Sequence, residues 1–444
     1  MKSRGLLIAA ALLAVLSGLI WWSNKKQTSE VKPSAEASPK ILTLTQADVT
    51  RLSIRHNGEP AVELARNDSG TWQIAAPQTL AADQDSVSSI LSTLSSYHSE
   101  RLLEEKVTDF APYGLTQPSL EVAVTLKDNR SQKLLIGDQT PAGNSYYAAL
   151  AGDPRLFTVA GYNKTNVDKT VNDLRDRRLL TADFDKVSQI ELANQKPGKK
   201  QDITFAREKD SWQILKPKPY RAQSYPVEEL VRTLKDARFD APSGAEEAAK
   251  NAVAFASAGR LAVVMVSGAS GTHEIEVRKA KDDCYAKSSA VSGVYKVPAT
   301  LGSSLDKTLD DYREKKLFDF AYQEPDKIEI HDGSKAYFVT HTGSDWWGPD
   351  GKKLEEAGAQ TLVGKLRDLE AGKFPDSGFG QPSIELTVTS NGGKRVERVS
   401  IAKSGDAYIA KRANEPALYE ISASAVTDLQ KAAADLKPAP EPKK

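Results

Sequence analysis

Five histidines, one cysteine and a few acid pairs are the side chains with the means to do chemistry. The histidines are His56, His98, His273, His331 and His341. A metal site needs ligands on one face at close spacing, usually with a carboxylate in support. His331 and His341 flank one expected hairpin and are the best pair available. Against that reading, His56 and His331 hold the same strand end, before Asn57-Gly58 and Asp332-Gly333, and a further copy of the pattern has Ala193 there. A position that tolerates loss of its ring reads as structural, so no metal and no other cofactor is expected. Cys284 aligns with a strand position held elsewhere by Tyr146 and Ala407, and reads as a small buried residue. Asp173 with Asp176, and Asp310 with Asp311, sit beside arginines and lysines at expected helix ends. Acid–base work needs carboxylates whose pKa is shifted by burial or a close neighbour, so these read as caps or a salt network. No nucleophile elbow, phosphate loop or dinucleotide fingerprint opens a helix after a strand. The expectation is a protein without enzymatic activity.

Two features suit contact with a partner. The run Arg175-Asp-Arg-Arg178 presents Arg175, Arg177 and Arg178, which fit an acidic protein or anionic headgroups. The bland account is cations favoured at a helix C-terminus, where the dipole is negative. Trp347 is the second feature. Its neighbour Trp346 has counterparts in Trp72 and Trp212 and reads as core, whereas Gln73 and Gln213 stand where Trp347 does. An extra tryptophan is a contact residue for a partner or a sugar ring, with partial burial the alternative.

The elements that position these residues recur. Val49-Thr-Arg-Leu-Ser-Ile-Arg-His56 alternates as a half-buried strand, Asn57-Gly58 marks a hairpin, and Trp72-Gln-Ile74 follows. Val187–Leu192 leads to Trp212-Gln-Ile214 in the same way, and Ile328–His331 leads to Trp346-Trp347. The tryptophans are 140 and then 134 positions apart. Each is followed by a helix with one apolar stripe: Val87, Ile90, Leu91, Leu94; then Val227, Leu230, Val231, Leu234; then Ala359, Leu362, Val363, Leu366. Asp83, or Ser224 with Pro226, supplies start chemistry for these helices. Four more short strands and a closing helix complete each copy. The expected fold is α+β: an N-terminal transmembrane helix, then three repeats of mainly antiparallel sheet, each with about seven strands and two helices. The boundaries fall at 1–22 for the anchor, 23–43 for a disordered tether, 44–183, 184–319 and 320–437 for the repeats, and 438–444 for a disordered tail.

Totals agree with a globular body on a tether. The chain has 444 residues, 60 Lys plus Arg against 59 Asp plus Glu, and a formal net charge of +1. No basic excess is present to attract nucleic acid. With Cys284 alone, neither an intramolecular disulfide nor a thiolate cluster can form. Gly5–Trp22 is an uncharged apolar run closing on Trp21-Trp22. At about 1.5 Å per residue it spans roughly 27 Å, close to a bilayer core. Ala35-Glu-Ala37 has the form of a signal-cleavage site but lies far beyond the run, so a retained signal anchor is expected rather than cleavage. Charges flank the run on both sides, and the short N-terminal flank favours an extracytoplasmic body.

Together Trp72-Gln-Ile74, Tyr113-Gly-Leu115 with Pro118, Ile136-Gly137, Tyr147-Ala148 and Leu174-Arg-Asp-Arg-Arg-Leu-Leu180 resemble the bacterial family called domain of unknown function 4340. The likeness is fullest over Leu44–Leu180. The third repeat keeps Gly380-Gln-Pro382-Ser-Ile and Tyr408 but reads Ala434-Asp-Leu-Lys437 where the Arg-rich end would be. The resemblance implies single-pass anchored proteins, often encoded beside ABC-transport components of the gliding-motility auxiliary type. It supplies no catalytic residues. The expected role is a membrane-tethered, non-enzymatic accessory or interaction protein of an ABC-type transport or cell-envelope assembly. It would sit in the inner membrane with a periplasmic body, and its partners would be ABC-transporter membrane subunits or other envelope proteins. The alternatives are an envelope glycan or small-ligand binder, and an unrecognised hydrolase.

Overall fold

The computed structural model describes residues 39–196, 199–209, 211–320 and 323–440. The expected anchor Gly5–Trp22 and most of the expected tether lie outside them, and among the described residues no helix is long and apolar enough to cross a membrane.

Three antiparallel sheets follow one another along the chain. The first repeat runs β1 (Val49–His56), β2 (Val62–Arg66), β3 (Trp72–Ala76), β4 (Leu80–Ala81), α1 (Gln84–Ser95), β5 (Arg101–Glu104), β6 (Leu120–Leu126), β7 (Ser131–Gln139), β8 (Ser145–Leu150), β9 (Leu156–Ala160), α2 (Gly161–Val167) and α3 (Val171–Leu174). The second runs β10 (Val187–Lys196), β11 (Lys199–Glu208), β12 (Ser211–Lys216), β13 (Tyr220–Arg221), α4 (Ser224–Lys235), α5 (Ala245–Ser257), β14 (Gly259–Gly268), β15 (Gly271–Ala280), β16 (Asp283–Ser288), β17 (Tyr295–Val297), α6 (Ala299–Leu305) and α7 (Leu309–Tyr312). The third runs β18 (Lys327–Asp332), β19 (Lys335–Thr342), β20 (Asp345–Trp347), α8 (Glu356–Arg367), β21 (Ile384–Ser390), β22 (Arg395–Ser404), β23 (Ala407–Arg412), β24 (Leu418–Ile421) and α9 (Ala423–Ala434). The chain divides into two compact units, one ending at Asp176 and the other, from Arg177, holding the second and third sheets.

Each sheet is two meanders placed back to back. The first has the order β4-β3-β2-β1-β6-β7-β8-β9-β5, and the others repeat its plan. Tight turns make chain neighbours into sheet neighbours; the long helix then carries the chain back so that β6 lies beside β1. On β6 the burial alternates strictly along Leu120–Leu126, the signature of a strand with one face in the core. The stripe Val87, Ile90, Leu91 and Leu94 of α1 covers that face with Val167 and Leu174. Each such side chain contributes about 1.5–3 kcal/mol by leaving water. The three repeat tryptophans, Trp72, Trp212 and Trp346, are all buried.

Several expectations need correction. The first sheet has two strands beyond the seven expected, β4 and β5, and the second has β13. These short pieces carry no alternation to read. The closing helix of the first two repeats is broken into α2 and α3, and α6 and α7. Each second piece opens on a capping box, Thr170 with Asp173 and Thr308 with Asp311, so these acids start single-turn helices rather than ending long ones. The helix α5 was not anticipated: its buried residues are only Asn251 and Phe255, too sparse a stripe to register. Asp83 does cap α1, accepting from the Asp85 and Ser86 amides at 3.1 and 3.0 Å. Ser224 instead lies inside α4 as its first residue. The tail is ordered further than expected. Lys437 and Ala439 hydrogen-bond to Glu355 and Lys353, which pairs Pro438 with Leu354; residues 441–444 lie outside the described residues.

Candidate functional site

The junction that leads from the second sheet to the third gathers a network of seven ion pairs. Its chain, Arg313–Asp319, leaves α7 and pairs first with the edge of the second sheet and then with the third repeat. Glu314 N donates to Arg221 O at 3.0 Å, and Leu317 N donates to Leu369 O at 3.0 Å. Leu317 and Phe318 then bury themselves in the third core. Hydrophobic anchoring on both sides thus holds a short polar strand between them.

Three arginines and three carboxylates meet on this strand. Arg221, from β13, donates to Asp319 Oδ1 at 2.6 Å, reaches Glu415 at 3.2 Å and also donates to the Lys316 carbonyl. Arg412, from β23, donates to Glu415 Oε1 at 2.7 Å, to Glu397 Oε1 at 3.1 Å and to the Leu317 carbonyl. Arg395, from β22, donates to Asp319 O at 3.0 Å and Asp319 Oδ2 at 3.2 Å. Glu397 also accepts from the Asp319 amide at 3.1 Å. Arg412 and Glu397 are only 8% and 5% exposed, so each requires the other: a lone buried charge would cost several kcal/mol. Burial opposes the charge of Arg221, but Asp319, Tyr419 and Glu415 around it outweigh burial and lift its pKa above the ordinary arginine value. Burial likewise raises the Tyr419 phenol, which donates to Glu415 Oε2 at 2.8 Å. Arg221 therefore stays charged and the Tyr419 phenol stays protonated at neutral pH.

Beside the network, Arg313 is 6% exposed and lies between two rings, 4.1 Å from the Tyr220 centroid and 3.8 Å from that of Phe374. One ring comes from the second repeat and one from the third. In front of the network opens a cleft of about 490 Å³. Tyr220, Pro219 and Pro416 form its walls, and Arg221, Glu314, Asp319, Arg395, Asn414 and Glu415 are its polar lining.

The expected contact residues fall elsewhere. Arg175, Arg177 and Arg178 follow the single turn of α3 and lie on extended chain, so no long helix dipole faces them. Arg175 pairs with Ala82, and Arg178 pairs with Arg238. Arg177 and Arg178 are exposed and Arg175 is half-buried. Trp347 is half-buried at the end of β20, paired with Thr340 and Lys353, rather than standing free. His331 and His341 do not meet. His331 lies opposite Ala336 and His341 opposite Asp326, five residues apart along β18 and so roughly 17 Å. His341 stacks on Trp346 at 4.4 Å and approaches Glu324 at 2.9 Å.

The register also corrects the expected match of His56 with His331 and Ala193. His56 pairs with Leu120, Asn194 with Ala262 and Asp332 with Ile384, which are equivalent places in the three sheets. All three side chains tie the first strand to the closing helical segment. His56 Nε2 lies 2.6 Å from Asp168 Oδ1. Asn194 Nδ2 donates to the Leu305 and Lys307 carbonyls at 3.2 and 2.6 Å. Asp332 Oδ2 accepts from Gln430 at 3.0 Å. Sequence reasoning missed this latch because the three residues differ in type and the hairpins that follow them differ in length. It also missed the junction network, whose members lie up to almost two hundred residues apart.

The motifs that carried the family resemblance prove to be packing devices. A Cβ on Gly137 would come within 2.1 Å of Tyr113 O, so only glycine lets β7 pass that close to the Tyr113-Gly-Leu115 turn. Tyr113 packs edge-on against Tyr147 at 5.0 Å, and Leu115 is buried beside them. Leu174 fills the first core, and Leu179 and Leu180 fill the second. No curated protein and no solved structure matches the chain. The sequence profile of the domain of unknown function DUF4340 matches residues 72–254 and again 212–383, so the chain belongs to the DUF4340 family.

Proposed function

We propose that this protein is a membrane-tethered, non-enzymatic interaction protein serving an ABC-type transport or cell-envelope assembly. In this reading Gly5–Trp22 anchors it in the inner membrane and the sheets stand outside the cytoplasm. The observation that carries the interaction role is the contrast between a recurring frame and its variable covers. The same two-meander sheet appears three times, yet its outer face is dressed differently each time. In the first repeat a loop carries Val107, Phe110, Tyr113 and Leu115 over Leu135, Tyr147 and Ala149. In the second, α5 lies there, with Arg278 over the Phe255 ring at 4.5 Å. In the third, a short segment brings Gly378 against Ile409. A rigid frame with variable coverings is how repeat proteins display distinct binding surfaces. The charge cluster of Arg221, Arg412, Asp319 and Glu415 is consumed in joining two of these frames, which supports a scaffold.

The test is in-cell cross-linking and detergent co-purification through a C-terminal tag, with partners identified by mass spectrometry. Transporter membrane subunits should be recovered. If the protein returns alone from a preparation that preserves known membrane complexes, the accessory role fails. A second reading, a glycan or small-ligand binder, is favoured by the cleft beside Tyr220, whose volume falls in the range of ligand sites.

A further inference from the structure

The cleft at the second junction has a charge left over. Its floor is neutral, because Arg221, Arg395 and Arg412 balance Asp319, Glu397 and Glu415. Glu314 is additional. It is half-buried on the cleft wall, and its carboxylate accepts from the Lys316 amide at 2.9 Å. Among the described residues no lysine or arginine forms an ion pair with it. The arginines that line the cleft are already engaged: all three nitrogens of Arg221 donate within the protein, and two of Arg395 do. An anion entering here would meet three carboxylates and no guanidinium without a partner. A cation would meet a carboxylate still in need of one.

We propose that this cleft receives a lysine or arginine side chain presented by a protein partner, with Glu314 as its counter-ion. The apolar walls Pro219, Pro416 and Tyr220 suit the methylene stem of such a side chain, and Asn414 and Gln213 stand where flanking peptide groups would pass. Arg221 is specific to this repeat. The first junction makes the same backbone bond, Asp176 N to Ala81 O, so Ala81 stands where Arg221 stands here.

This inference rests on the reading of the protein as a partner-binding scaffold. The test uses the full chain in detergent and dye-labelled tetralysine, followed by fluorescence anisotropy, with tetraglutamate and chitotriose as comparison probes. Tetralysine should bind best. Glu314→Gln, which keeps the acceptor for the Lys316 amide, should weaken it about tenfold, the effect of one partly desolvated ion pair. Ser211→Lys, which places a competing cation on the same cleft, should also weaken it, and it leaves Glu314 in place should the first variant fold poorly. Glu356→Gln, on α8, should change nothing. The inference is overturned if both cleft variants bind like the wild type, if either comparison probe binds more tightly, or if tetralysine does not bind. Co-purification that survives Glu314→Gln alongside lost tetralysine binding would show the cleft to be one contact among several. Loss of partners with tetralysine binding intact would sink the transport role and leave the cleft.

Discussion

The first and second sheets solve one mechanical problem with opposite chemistry. Both must tie the end of their first strand to the closing helices. The first uses an ionic set: His56 against Asp168, Lys164 also on Asp168, and the Lys164 ammonium 5.3 Å from the Tyr146 ring. The second uses small neutral groups at the corresponding places: Asn194 on two carbonyls, Gly302 for Lys164 and Cys284 for Tyr146. Tyr146 pairs with Val159 as Cys284 pairs with Val297, and Tyr408 pairs with Ile421 likewise, so the expected counterpart Ala407 is off by one. The swap is complementary in volume. Where the first sheet stacks a long lysine on a tyrosine, the second closes a glycine onto a thiol. Burial keeps that thiol protonated by raising its pKa. A latch is therefore specified by geometry, and its residues are free to change as a group.

The comparison breaks most visibly if charge is moved into the neutral latch. Asn194→Asp would set a carboxylate against the Leu305 and Lys307 carbonyls in a site that is 1% exposed. The expected loss is about 3–5 kcal/mol at neutral pH, as for other uncompensated buried charges. Protonation would turn the repulsion into a hydrogen bond, so much of the loss should return on acidification. Urea unfolding at pH 7 and pH 4 measures both. Equal stability of variant and wild type at pH 7 would mean that water reaches the latch. Next in size is Gly302→Ala. Its Cβ would lie 2.6 Å from the Cys284 sulfur, and overpacking of this kind costs about 1–3 kcal/mol. Adding Cys284→Ala should recover much of that loss in a double-mutant cycle, and independent effects would argue that the two positions do not share one volume.

Much of the frame was legible because its signals are local. Alternation on β1 and β6, the stripe on α1 and the buried tryptophans all follow from period and burial, which neighbouring residues announce. The polar positions were not legible in the same way. Arg221 looks like any arginine before a helix; its role depends on Asp319 and Glu415, far along the chain, which share its junction only after two sheets have formed. The Arg175–Arg178 run advertised charge, but α3, which opens on the capping box of Thr170 with Asp173, ends after one turn where Arg175 turns to extended backbone. Equivalence of His56, Asn194 and Asp332 emerges from strand register, and residue type conceals it.

Smaller effects sharpen the comparison from the other side. His56→Ala should cost about 1 kcal/mol, because the pair is partly exposed and Lys164 still faces Asp168. His56→Asn imports the second sheet's solution and should recover part of that loss. A variant no better than alanine would mean that the imidazole does more than tie the strand.

The smallest expected effect separates the two latches by pH. Burial opposes the charge on Asp168, but the bonds from Lys164 and His56 outweigh it and hold this carboxyl below the usual aspartate range. A carboxyl with a lowered folded-state pKa favours the folded state fully above its unfolded value, about 3.9. That contribution is lost as the pH falls below 3.9 and through the lowered folded value. The Asn194 latch has no proton to gain there. Acid titration followed by hydrogen exchange should therefore loosen α2 and the β1 end of the first sheet while the corresponding amides of the second remain protected. Asp168→Asn should remove the part of this acid dependence that belongs to the latch. If both sheets lose protection together in the wild type and the variant, the ionic latch is mechanically equivalent to the neutral one, and the difference between the sheets is one of residue choice alone.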